Sequence, residues 1–263
     1  MRVYLEVARR SFQRQLAYRG AALSGMVANT IFGVIIASVY RGLYASKPGS
    51  GSVEGFDLTE ILTFVWIGQS LIGVIALWGW YDIARSVQSG EIVTDLMKPI
   101  DYYAFWLSRD VGRAACQVIM RGIPTLVVGA LLFDLSLPSS PTRWLSFAVC
   151  VALAVLVSFA IRFLVNISAV WLTDVLGVAM LMTVCVNFFS GFLVPIPFFP
   201  SWLTTVANVL PFRAMIMAPI TVGLGQTSFW STVGLQLFWV AIMTLFAHWM
   251  LSRATRRLET FGG

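Results

Sequence analysis

A short charged stretch, SGEIVTDLMKPID at residues 89–101, carries the side chains best suited to chemistry with a partner molecule. The chain is 58% hydrophobic and only 11% charged, so a cluster of charges stands out. Glu91, Asp95 and Lys98 are spaced by four and three residues, which places them on one side of a short helix. Such groups can form ion pairs with another protein. The stretch predicts a docking element, and a solvated charged loop is the alternative.

The other reactive side chains form no catalytic or metal-binding pattern. His248 is the single histidine, and no carboxylate lies near it in the sequence. Cys116, Cys150 and Cys185 lack the spacing of metal ligands. The phosphate-binding motif G-x-x-x-x-G-K-[ST] does not occur. We expect no cofactor or metal in this chain, and we expect any nucleotide chemistry to belong to another polypeptide.

The amino-acid composition indicates whether the chain lies in water or in a membrane. Mean hydropathy is +0.82, with 19 Phe and 10 Trp in 263 residues, which is more apolar surface than a soluble core of this size can bury. A helix needs about 20 apolar residues to cross about 30 Å of hydrocarbon. We predict an all-α polytopic membrane protein, a single transmembrane domain over residues 1–263. Its six predicted spans are residues 20–40, 58–81, 114–133, 144–163, 175–194 and 229–251.

Orientation follows from the positive charges in the connections between spans. With the amino terminus inside, most of the 18 Lys and Arg residues fall in cytoplasmic pieces. We therefore expect both termini in the cytoplasm and the chain in a bacterial plasma membrane. The formal net charge of +6 is then explained by topology and by contact with anionic membrane lipid. It does not indicate a nucleic-acid partner.

Three connecting segments are predicted to be structured. Residues 1–19 form an interfacial helix, with a basic tail as the alternative; its apolar side holds Leu5, Ala8, Phe12 and Leu16. Residues 82–101 form a coupling region of two short helices, and Ile92, Val93 and Leu96 share the apolar side of the second helix. Residues 195–228 are long yet apolar and predict a re-entrant outer segment, broken at Pro200, Pro211 and Pro219.

Arg121 is the one charged residue deep within a predicted span. An isolated charge in hydrocarbon is costly, so Arg121 needs a partner or water. We expect a structural ion pair with Asp110 or Asp174, or a side chain that reaches the inner surface. A position lining a substrate path is the alternative.

The sequence resembles the type-2 ABC exporter permeases, specifically those with six spans and a separate ATP-binding subunit. The resemblance rests on SGEIVTDLMKPID, at 89–101, and on NFFSGFLVPIPFFPSWLTTVANVLPF, at 187–212. It implies an assembly of two permeases with two ATP-binding subunits, which bind the ATP and Mg²⁺. It also implies an ATPase-coupling helix at Gly90, Glu91, Asp95, Leu96, Lys98 and Pro99, and a pathway gate at Asn187, Phe188, Phe189, Phe192 and Pro195.

The function expected from this resemblance is export of an amphiphilic or hydrophobic compound, such as a drug, natural product or lipid. Three alternatives stay open. The first is a polysaccharide or glycolipid exporter, and the second is a membrane anchor that holds an ATPase without transporting anything. The third is an intramembrane enzyme.

Overall fold

The computed structural model of the protein describes residues 2–46, 52–77, 79, 81–172 and 174–261. Apart from an isolated bridge between Val53 and Phe56, these residues form helices and turns. The α-helices, numbered in chain order, are α1 Arg2–Ala17, α2 Arg19–Ala45, α3 Leu58–Ile75, α4 Asp82–Gln88, α5 Glu91–Leu96, α6 Tyr102–Gln117, α7 Ile123–Leu132, α8 Pro141–Ile167, α9 Leu176–Phe189, α10 Ser201–Val209, α11 Met217–Leu224 and α12 Phe229–Phe261.

The all-α membrane class is confirmed. In the described ranges, five helices are long and apolar enough to cross a bilayer. They are Arg19–Ala45, Leu58–Ile75, Tyr102–Leu132, Pro141–Val170 and Phe229–Leu258. The predicted span at 175–194 corresponds to α9, which has 14 residues and is about 21 Å long at about 1.5 Å per residue. A sixth crossing therefore stays a prediction.

The second span ends earlier than its hydropathy predicts. The sequence places its end at Tyr81, but α3 stops at Ile75 and Ala76 takes a left-handed conformation with φ 54°. Long-range side chains bind the carbonyl groups of the last turn: Arg113 donates to those of Gly73 and Val74, and Ser158 donates to that of Ile75. Because these carbonyl groups are satisfied, the helix can end inside the protein. Trp78 and Trp80, in the predicted span, lie outside the described residues.

The third span begins earlier than predicted. Its helix starts at Tyr102 instead of residue 114, because the Asp101 carboxylate accepts a hydrogen bond of 2.6 Å from the Ala104 amide and caps it. A π-helical segment, Val118–Gly122, connects α6 to α7. Arg121 lies in this segment, at the point where the regular hydrogen-bond pattern changes.

The core is built around α3. Trp66 is fully buried, and its indole packs against Gly33 of α2 and Gly129 of α7. A Cβ atom at Gly129 would collide with the ring, so the close approach of α3 and α7 requires glycine at this position. The spans are held together mainly by apolar contacts.

The amino-terminal segment is helical, as predicted, and packs along α6. The Ala8 carbonyl lies so close to Gly112 that no Cβ would fit there, and the Ser11 hydroxyl donates 2.6 Å to the Arg109 carbonyl. On the predicted apolar side of this helix, Leu5 is 71% exposed, whereas Ala8 and Phe12 are partly buried. The position of this helix relative to a bilayer stays a prediction.

Candidate functional site

Residues 82–101, called the elbow below, consist of the two predicted short helices, α4 and α5. They meet at Gly90, which has φ 78°, a left-handed conformation that glycine adopts without strain. One isoleucine from each helix anchors the elbow: Ile83 and Ile92 are fully buried. They enter an apolar cluster with Tyr102 and Phe163. The elbow is thus packed firmly onto the spans.

Polar bonds hold the elbow to α8. The Asn166 side chain accepts a hydrogen bond of 3.1 Å from the Ala84 amide of α4. The same side chain donates a hydrogen bond of 2.8 Å to the Arg162 carbonyl. Arg162 also donates to the Ser158 hydroxyl at 3.2 Å, and Ser158 donates to the last turn of α3. A chain of bonds therefore runs from the elbow through α8 to the end of α3.

A buried group of charges, called the charge network below, lies at the centre of these bonds. The Asp110 carboxylate accepts hydrogen bonds from Arg162 Nη2 at 2.7 Å and from Arg113 Nε at 2.8 Å. The Asp110 side chain is 2% exposed. Since Arg113 also binds the Gly73 and Val74 carbonyls, the charge network ties α3, α6 and α8 together.

The exposed face of the elbow combines charged and apolar groups. Glu91, Lys98 and Pro99 are exposed, as is Gly90 between the two helices. Asp95 is partly buried and forms an ion pair of 2.6 Å with Lys98. Four of the six predicted coupling residues are thus exposed. Leu96 is half-buried and packs inward against the apolar cluster.

Two apolar side chains on this face differ from the sequence prediction. Val93, predicted to share one side of α5 with Ile92 and Leu96, is 47% exposed, whereas Ile92 and Leu96 pack into the apolar cluster beneath. Met97 is 81% exposed and was not singled out, since a single methionine two residues before a proline gives no periodic signal. Exposed apolar groups ringed by charges are typical of a protein-contact surface.

The predicted gate residues lie at the end of α9. The rings of Phe188 and Phe199 stack with centroids 4.8 Å apart, and those of Phe189 and Phe212 stack at 6.3 Å. Phe192 lies close to Gly68 of α3. Phe199 and Phe212 were missed as candidate residues because their contacts depend on the folding of a distant loop. The four rings of the two stacked pairs, Phe188 with Phe199 and Phe189 with Phe212, are called the aromatic closure below.

Two further predicted gate residues shape the turn that follows α9. The Asn187 carbonyl accepts a hydrogen bond of 3.3 Å from the Leu193 amide, while its side-chain nitrogen donates 2.8 Å to Thr183. Pro195 is buried and precedes a 3-10 turn, Ile196–Phe198. These contacts reverse the chain, so that the following segment returns over the aromatic rings.

Residues 195–228, called the cap below, contain short helices, as predicted. Pro200 and Pro211 precede or begin new turns. Pro219 does not break the chain: it lies in the first turn of α11, where a missing N–H costs no helical hydrogen bond. Buried Gln236 fixes the cap, because its amide nitrogen donates 2.9 Å to the carbonyls of both Cys150 and Ala214.

The elbow and the cap contact opposite ends of α8. The elbow is bonded to Asn166, whereas Gln236 joins the cap to Cys150. From Cys150 to Asn166 the helix rises about 24 Å at about 1.5 Å per residue. That distance is most of the hydrocarbon thickness of about 30 Å. Helix α8 is therefore a direct connection between the two regions.

Arg121 does not form the predicted ion pair with Asp110 or Asp174. Asp110 is occupied by Arg113 and Arg162, and Asp174 binds the Leu176 amide. Arg121 instead donates a hydrogen bond of 2.9 Å to the side-chain oxygen of Asn29. Neutral amides give no charge pattern in a sequence, so this partner could not be predicted.

The family model for ABC-2 family transporter proteins matches residues 24–262. The match covers most of the chain, and the chain belongs to this family. It is a multi-pass membrane protein and the membrane component of an ABC transporter, a kind of permease that works with ATP-binding subunits. A comparison with curated proteins found no match to this sequence.

Proposed function

We propose that this permease exports an amphiphilic or hydrophobic compound from the cytoplasm or the inner leaflet of a bacterial plasma membrane. A separate subunit binds ATP and Mg²⁺ and hydrolyses the ATP. One observation carries the proposal: the elbow exposes Val93 and Met97 among charges, while its other side is bonded into the membrane helices. An element that is exposed on one side and bonded to the membrane helices on the other can transmit the movement of a bound partner to those helices.

In the proposed assembly, two permeases pair and two ATP-binding subunits dock on the elbows. The excess of positive charge in the connections supports cytoplasmic elbows and termini. The outer surface of α9 supports pairing, because it presents large apolar side chains that the described chain leaves uncovered. These are Leu176, Met180, Leu181 and Val184, with exposures of 53%, 67%, 66% and 65%.

The proposed mechanism uses α8 as the connection between input and exit. Closure of the ATP-binding subunits moves the elbow, and Asn166 and the charge network pass that movement to α8 and to the end of α3. About a third of the way along α8 from its first residue, the Cys150 carbonyl is bound by Gln236, which also holds the cap. Movement there separates the rings of the aromatic closure and opens an exit for an apolar molecule.

Transport in vesicles tests the exporter role. The purified complex of this chain with its ATP-binding subunit is reconstituted, and ATP-dependent movement of a panel of fluorescent amphiphiles is measured. We expect movement of at least one amphiphile, abolished when the ATPase is inhibited. A complex that hydrolyses ATP but moves no member of the panel contradicts the proposal and favours a membrane anchor. Selective movement of a lipid-linked sugar instead identifies a glycolipid exporter.

A further inference from the structure

An open cavity of about 560 Å³ lies between α1 and α6. Its volume is in the range of small-molecule sites, about 300–1,000 Å³. Four arginines line it, two from each helix, together with the carboxylates of Asp82 and Asp110 and apolar side chains such as Val7 and Phe105. The four arginines are Arg10, Arg14, Arg109 and Arg113. A cationic cavity with an apolar rim suits an anionic amphiphile.

One of these arginines has no anionic partner. Arg10 binds Glu6 at 3.1 Å, Arg109 lies 3.5 Å from Asp82, and Arg113 belongs to the charge network. The Arg14 side chain forms no ion pair or hydrogen bond with any residue in the described part of the chain. With four guanidinium groups and two carboxylates in its lining, the cavity has an excess of positive charge.

A second cavity of about 170 Å³ continues the polar lining toward the span interior. It shares Gln15 and Tyr18 with the first cavity and reaches Gln117 and Arg121. Gln117 Oε1 and Arg121 Nε are buried, and within the described ranges neither has a hydrogen-bond partner. Buried polar atoms without partners are rare in native proteins, which indicates that a polar ligand or water completes this region.

We propose that these two connected cavities form a phosphate-binding site for the headgroup of a membrane amphiphile. Guanidinium groups bind phosphate oxygens by paired, charge-assisted hydrogen bonds, and Arg14 supplies the uncommitted guanidinium. Val7, Phe105 and Tyr18 provide apolar surface for the adjoining part of the amphiphile. The site adjoins the elbow through Asp82, which lines the larger cavity; it is separate from the aromatic closure, and its occupancy does not depend on transport.

A binding experiment with the full chain tests this site. The chain is placed in nanodiscs of phosphatidylcholine, and the dissociation constants of short-chain phosphatidic acid and of inorganic phosphate are measured separately. Arg14→Gln is compared with Arg9→Gln, a control on the same helix that carries the same substitution outside the cavity. We expect Arg14→Gln to weaken phosphatidic acid binding about tenfold, since a charged hydrogen bond is lost. Arg9→Gln should leave the constant unchanged.

Gln117→Glu provides a second variant that keeps side-chain size. It adds a carboxylate beside Arg121, so it should also weaken binding, while the thermal midpoint shows that the fold is retained. Binding of phosphatidic acid but not of inorganic phosphate identifies a lipid headgroup as the ligand. Binding of both supports the phosphate site and shows that a free anion suffices. Absence of binding, or equal weakening by Arg14→Gln and Arg9→Gln, overturns the proposal.

Discussion

The elbow and the cap lie at opposite ends of α8 and are held by different forces. At the elbow end, the structure relies on directional bonds, with Asn166 and the buried Asp110 as their centres. At the cap end, it relies on stacked rings and apolar packing, with Gln236 as a central polar contact. Charge-assisted hydrogen bonds are strong and geometrically specific, whereas an aromatic pair adds only about 0.5–1.5 kcal/mol beyond the area that it buries. In the proposed mechanism, the input at the elbow is therefore rigid and the exit at the cap is adjustable.

Asp110→Asn should produce the largest effect, because it removes one partner from a buried ion group. We expect the free energy of unfolding to fall by about 3–5 kcal/mol, since Arg113 and Arg162 lose their anion. The matched control is Asp82→Asn, where a partly exposed ion pair with Arg109 is lost, at a cost below about 1 kcal/mol. Denaturant titration in detergent measures both. Equal losses would show that the charge network stabilises the elbow end no more than a partly exposed ion pair does.

Gln236→Leu should have a smaller effect at the cap end. It leaves the Cys150 and Ala214 carbonyls without their side-chain donor, which costs about 1–3 kcal/mol. The cap should also loosen, so trypsin or hydrogen exchange should reach residues 201–224 sooner. The control is Thr255→Val, which is also in α12 and removes a hydrogen bond from the Thr255 hydroxyl to the Leu251 carbonyl. Unchanged exchange of the cap in Gln236→Leu would contradict the proposed attachment.

The aromatic closure should show the smallest effect. A double-mutant cycle of Phe188→Ala and Phe199→Ala should give a coupling energy of about 0.5–1.5 kcal/mol, as expected for one stacked pair. A cycle between Phe188 and the distant Phe246 should give none. The double variant of Phe188→Ala and Phe199→Ala should also raise the passive leak of a fluorescent amphiphile from vesicles. A leak equal to that of the unmodified chain would exclude these rings as the closure.

Local signals predicted most of the elbow. Gly90 and Pro99 mark breaks that depend on their own backbone preferences, so the two helices followed from sequence. The exposure of Val93 could not be predicted, because it depends on which residue of α5 reaches Tyr102 and Phe163. Apolar runs likewise predicted the long helices without indicating where α3 ends. That end is set by Arg113 and Ser158, which lie far along the chain.

The polar contacts inside the spans were the hardest to predict. Asp110 and Arg121 are both charged and near in sequence, which favoured pairing them. In the structure, Asp110 faces Arg162 on another helix, and Arg121 turns toward Asn29. The π-helical segment around Arg121 shifts the register of the helix, and no sequence period reveals such a shift. The resemblance predicts a gate at residues 187–195, but the ring partners of Phe188 and Phe189 could be identified only in the folded cap.

Binding of the ATP-binding subunit to charge-reversed elbows tests the central claim most directly. Glu91→Arg changes an exposed charge on the elbow, and Asp134→Arg makes the same kind of change in an exposed loop elsewhere. Affinity is measured with the purified subunits in detergent, after circular dichroism shows equal helicity. We expect Glu91→Arg to weaken the complex about tenfold or more, equal to about 1.4 kcal/mol, and Asp134→Arg to leave it unchanged. Full affinity in Glu91→Arg, or an equal loss in both variants, would contradict docking at the elbow.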